Sequence, residues 1–114
     1  MLIGVVGPCS SGKTTLIREL TALGYTARHI AQEHSFVPDM WKRISNPDIL
    51  IYLDVSYKVS MQRRKLDLSE NEFKIQLDRL AHARQHADIF LNTNNKTPEE
   101  IRNQVLDFLR NREM

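Results

Sequence analysis

A β-branched and apolar run from Leu2 to Val6 stops at Gly7, the pattern of a buried strand entering a loop. Leu16, Leu20 and Leu23 then recur at helical spacing, and Gly24 stands where a left-handed C-cap belongs. Thr26 to Ile30 is a weaker strand. Residues 31–47 contain Pro38, Asn46 and Pro47 and show no clear period, so they predict a loop with at most a short helix around Met40 to Ile44. Asp48-Ile-Leu-Ile-Tyr-Leu-Asp54-Val is a near-continuous apolar run of the kind a strand buried on both faces shows, and is the best central strand in the chain. Ser56 can cap a helix through about Leu66. Ser69-Glu70-Asn71-Glu72 is a capping box that opens another, with Phe73, Leu77 and Leu80 on one face and the break between the two near Asp67-Leu68. Asp88 to Leu91 is a last short strand. Thr97-Pro98-Glu99-Glu100 places a capping Thr before Pro at the first helical position and Glu at the third, ahead of a buried stripe of Ile101, Val105, Phe108 and Leu109.

Strands that alternate with helices predict an α/β fold: a small, mainly parallel sheet of about four strands covered by helices on both faces. No repeat, low-complexity tract or linker divides the 114 residues, so one domain, residues 1–114, is expected. A hydrophobic share of 41% and a charged share of 26% exclude a disordered or fibrous chain. The longest apolar run, Ile49 to Leu53, falls far short of the ~18 residues of a spanning helix, so no membrane partner is expected. Met1 leads into Leu-Ile-Gly without a basic leader, and a single cysteine is present; both point to a cytoplasmic location. A formal charge of +2 gives no argument for nucleic acid. Any anion site has to be local.

Such a site is written between the first strand and the first helix. Gly7-Pro8-Cys9-Ser10-Ser11-Gly12-Lys13-Thr14 satisfies G-x-x-x-x-G-K-[ST], with Thr15 following, in the strand–loop–helix context that the motif requires. Glycines let successive N–H groups turn inward and the helix adds its positive end, which together cradle a polyphosphate. Lys13 is placed to reach the β and γ phosphates, and the Thr14 hydroxyl to ligate Mg²⁺. Cys9 reads as a small residue filling space in the loop. His82 and His86 stand four apart without a third ligand at motif spacing and read as a solvated pair.

With this loop in place, the chain resembles the P-loop nucleoside and nucleotide kinases. Pro47-Asp48-Ile-Leu-Ile-Tyr-Leu-Asp54-Val-Ser56, followed by Val59 and Arg63-Arg64, is similar to the thymidylate kinase pattern in which a strand feeds a helix ending in lid arginines. Ala87-Asp88-Ile-Phe-Leu-Asn92-Thr93-Asn94 is similar to the last strand and adenine-side loop of these enzymes. The resemblance implies a three-layer P-loop NTPase-type sandwich, ATP or another NTP with Mg²⁺ as cofactors, an adenine contact at Asn92, Thr93 and Asn94, and a phosphotransferase acting on a small-molecule acceptor. Arg63 or Arg64 would neutralise charge on the transferring phosphoryl group, or the two form a solvated helix end.

The departures are as informative. The third strand and the acceptor-binding helices of these kinases have no counterpart, because only residues 31–47 separate the second strand from the next. A carboxylate supporting Mg²⁺ therefore comes from Glu33, if the second strand lies beside the first, or from Asp54. Glu33 with Trp41 also resembles the Glu and Trp of deoxynucleoside kinases, which implies a general base at Glu33; Trp41 by itself reads as a core or interface aromatic. The missing segment leaves a second reading open: a nucleotide-binding regulatory or partner subunit without an acceptor site. A homodimer is a further expectation, since a four-stranded sheet has edges to cover or pair.

Overall fold

The computed structural model describes residues 1–63 and 68–113. Four strands, β1 (Leu2–Val6), β2 (Thr26–His29), β3 (Ile49–Asp54) and β4 (Ile89–Asn92), form one sheet in the order β2-β1-β3-β4, and every pair is parallel. The second strand lies directly beside the first, the arrangement on which the expectation for Glu33 depended. Four helices accompany the strands: α1 (Lys13–Ala22), α2 (Tyr57–Arg63), α3 (Glu70–His86) and α4 (Pro98–Glu113).

Alternation along the central strands sorts the core into two halves. Ile3 and Val5 of β1 and Ile49, Ile51 and Leu53 of β3 pack with Leu16 and Leu20 of α1 and with Ile101, Val105 and Leu109 of α4. On the opposite face Val6, Leu50 and Tyr52 pack with Leu80 and Ala83 of α3 and with Trp41. All residues of β3 but the last are buried, as expected of a strand covered on both sides. Leu23 departs from its expected place on the stripe of α1 and is 54% exposed. It forms the C-cap, and Gly24, at φ 94°, ends the helix before another turn can face the core.

Residues 31–47 cross the sheet with little regular structure: a 3-10 turn at Gln32–His34 and a π-helical turn at Trp41–Ser45, close to the short helix expected there. They run tightly over β1. A Cβ on Gly4 would meet Pro47 at 3.0 Å, and the Ile30 Cδ1 at 2.6 Å would have to turn aside, so glycine lets the chain pass closely at that point. The expected caps form. Ser69 Oγ accepts from the Glu72 N–H at 3.1 Å, and Thr97 and Glu100 bond each other's N–H reciprocally, both at 3.1 Å.

Candidate functional site

The loop between β1 and α1 takes its shape from its own sequence. Gly7 packs on β3 so closely that a Cβ would fall 2.2 Å from the Leu53 carbonyl oxygen. Ser10 and Gly12 have φ of 63° and 102°, which turn the chain back on itself before α1 begins. Gly12 is the N-cap of α1, and no side chain caps the helix there. Among the described residues, the N–H groups of Ser10, Gly12, Lys13, Thr14 and Thr15 have no partner, whereas the Ser11 N–H reaches the Pro8 carbonyl at 3.3 Å. A run of unpartnered donors at a helix start attracts an anion.

More distant segments hold the loop in place. Gln76 of α3 brackets Cys9: its Oε1 accepts from the Cys9 N–H at 3.1 Å, and its Nε2 donates to Sγ at 3.2 Å. Ser60 of α2 donates to the Cys9 carbonyl at 3.0 Å. Arg63, at the end of α2, donates to the Ser10 carbonyl at 3.0 Å, to Thr93 Oγ1 at 2.9 Å and to the Thr93 carbonyl. The Thr93 hydroxyl, buried, lies 3.0 Å from the carbonyls of both Ser11 and Asp54.

Lys13 folds back under the loop. Its ammonium donates to the carbonyls of Gly7 and Pro8 and to Glu33 Oε2, and both side chains of this ion pair are buried. Glu33 reaches the loop because β2 is the neighbour of β1, and Arg79 fixes its backbone by donating to the Glu33 carbonyl at 3.3 Å. The other carboxylate oxygen, Oε1, is buried without a partner. His29 stands 3.8 Å from Oε2. Burial and, next, the Lys13 charge hold its imidazole below its ordinary value, against the opposing pull of Glu33.

These groups enclose a cleft of about 490 Å³ lined by residues 9–16 together with His29, Glu33, His34, Leu53, Arg63, Thr93, Lys96, Pro98 and Ile101. Of the residues singled out in the sequence, Cys9, Ser10, Ser11, Gly12, Lys13, Thr14, Thr15, Glu33, Arg63 and Thr93 meet there. Gly7 and Pro8 contribute their carbonyls from behind. Asp54 is not among the lining residues and offers its backbone oxygen to Thr93. Asn92 and Asn94 are absent from the lining too: Asn92 Oδ1 accepts from the Asn94 N–H at 3.0 Å, and Asn94 Oδ1 from the Ser56 N–H at 2.9 Å, so both shape loops. Trp41 is a core aromatic whose indole N–H donates to His82 Nδ1 at 3.1 Å. That bond ties His82 to the core, a partial correction to the solvated pair expected of His82 and His86. Arg64 lies outside the described residues.

Sequence reasoning missed Gln76, Ser60, His29 and His34. A signal existed for the first: Gln76 continues the buried stripe of α3 between Phe73 and Leu80, where a polar side chain needs a partner. Searches against protein-family models and among curated proteins return no match to this chain.

Proposed function

We propose that the protein binds Mg²⁺-ATP, or another nucleoside triphosphate, in this cleft as a minimal P-loop protein of the nucleoside and nucleotide kinase type. The observation that carries the reading is the loop at residues 7–14: unpartnered N–H groups at the start of α1 beside a buried lysine, inside a cleft large enough for a nucleotide. The N–H groups of residues 12–15 would hold the phosphates; Lys13, which the sequence placed on the β and γ phosphates, is turned to the Gly7 and Pro8 carbonyls and Glu33 and would have to exchange a carbonyl for a phosphate oxygen to reach them. The residues also suit the cation. Thr14 lines the cleft at the first turn of α1, and Glu33 brings an unpartnered carboxylate oxygen, which makes Glu33 a better support than Asp54. When bound, Mg²⁺ neutralises charge on the β and γ phosphoryl oxygens. Arg63 holds the loop closed through Ser10 and Thr93, and its guanidinium lines the phosphate side of the same cleft.

In a transferase, Glu33 would accept the proton of the acceptor hydroxyl. The alternative of binding without transfer is favoured by one feature. Residues 31–47, which link the second strand to β3, bring only Glu33 and His34 to the cleft and hold only two short helical turns, so among the described residues they form no separate helical enclosure for an acceptor.

The test is thermal denaturation with Mg²⁺-ATP, Mg²⁺-ADP and adenosine, followed by turnover with a panel of nucleosides, nucleotides and small alcohols. Binding to the folded state alone stabilises by about 2.7 kcal/mol at ~100 times the dissociation constant. No shift at millimolar nucleotide overturns the reading. Binding without turnover selects the non-transferring form.

A further inference from the structure

We propose that Cys9, Glu33 and His34 form a binding site for a borderline-soft divalent cation of the Zn²⁺ class at the mouth of the cleft. Their donor atoms, the Cys9 sulfur, a Glu33 carboxylate oxygen and a His34 ring nitrogen, all lie within 4.8 Å of one another. A tetrahedral Zn²⁺ with bonds of about 2.0–2.3 Å needs donor separations of roughly 3.3–3.8 Å, so the set has to contract by about an ångström. Rotation of the exposed His34 side chain supplies that movement, while the Cys9 sulfur keeps its bond from Gln76.

An independent observation points to a ligand. Glu33 is only 2% exposed, and its Oε1 has no hydrogen-bond partner while Oε2 is held by Lys13. A buried carboxylate oxygen left in that state is costly, and a cation satisfies it. Oε1 can take the metal while Oε2 keeps its lysine, an outer partner that orients the carboxylate as such ligands require. Gln76 does the same for the sulfur through its Nε2, and Arg79 for the Glu33 backbone.

The donor set chooses the ion. One sulfur, one imidazole nitrogen and one carboxylate oxygen suit Zn²⁺ or Co²⁺, whereas Mg²⁺ takes oxygen ligands and keeps its waters. On binding, the Cys9 S–H bond breaks, the proton passes to solvent, and the sulfur's electron pair forms the metal bond. Water completes the fourth position from the open cleft. The site shares Glu33 with the Mg²⁺ support proposed above, so its probe is the metal alone, without nucleotide.

The experiment is a Co²⁺ titration of the full chain without nucleotide, followed in the near ultraviolet for thiolate-to-metal charge transfer and repeated with Zn²⁺ in competition. The expected result is one equivalent of Co²⁺ with a charge-transfer band, displaced by Zn²⁺ and undiminished by millimolar Mg²⁺. Cys9→Ser abolishes the band, and His34→Ala weakens Co²⁺ binding by about tenfold or more while circular dichroism is unchanged. A thiolate band is required because His82 and His86, 4.3 Å apart between ring centres, could also bind metal but cannot produce it. Absence of the band, or a His34→Ala variant that binds as tightly as the parent, overturns the proposal.

Discussion

Lys13 and Glu33 are each other's charge partner in a place almost closed to water. Removing one alone strands the other, and the cost of breaking a buried pair in this way is about 3–5 kcal/mol. Lys13→Ala is therefore expected to lose that much stability in urea denaturation, where a lysine answering only to phosphate would lose little. Lys13→Met combined with Glu33→Gln should recover most of the loss, because neither charge is then left buried, while the nucleotide binding proposed for the cleft stays impaired. A second residue-scale expectation concerns His29. Its pKa is lowered from the ordinary 6.5, so below that pH the unfolded chain takes up the proton more readily than the folded one. Stability therefore falls as pH drops through 6.5 and levels off once the folded-state imidazole also titrates. The effect is modest because the side chain is 44% exposed, and His29→Gln should flatten the slope of stability against pH in that window.

At the level of elements, α4 begins at the reciprocal bonds between Thr97 and Glu100. Thr97→Ala removes a cap worth about 1 kcal/mol and should lower the unfolding free energy by that amount without altering ligand affinity, since Thr97 does not line the cleft. Such local signals are why the elements were legible. The continuous apolar run of β3, the capping residues Ser69 and Thr97, and Gly24 each act within a few positions of themselves, and the sequence displays them directly. The loop motif was legible for the same reason. What supports it was not: Gln76 lies 67 positions from Cys9, and Arg63 lies 53 from Ser10. No short-range pattern encodes bonds of that span. Leu23 misled because an apolar residue at helical spacing looks the same whether the helix continues or has just ended.

Across the whole molecule, the loop after β1 is a place where separate parts of the chain converge: β1 and α1 frame it, Glu33 neutralises its lysine, α2 and α3 fasten Cys9, and Thr93 locks Ser11 and Asp54 together. Gln76→Ala cuts two of these bonds at once and leaves the Cys9 amide without its acceptor. A loss of roughly 1–3 kcal/mol is expected, read together with faster amide exchange confined to residues 9–12 and weaker binding of the nucleotide proposed for the cleft. The convergence also orders events during synthesis. The Gly7–Thr14 loop is made before all of its distant fasteners, since Arg63, Gln76 and finally Thr93 follow it in the chain, and β1 gains its second neighbour only with β3. The fastening of the loop is thus complete only once Thr93 has been made, 82 positions after the Ser11 whose carbonyl it bonds.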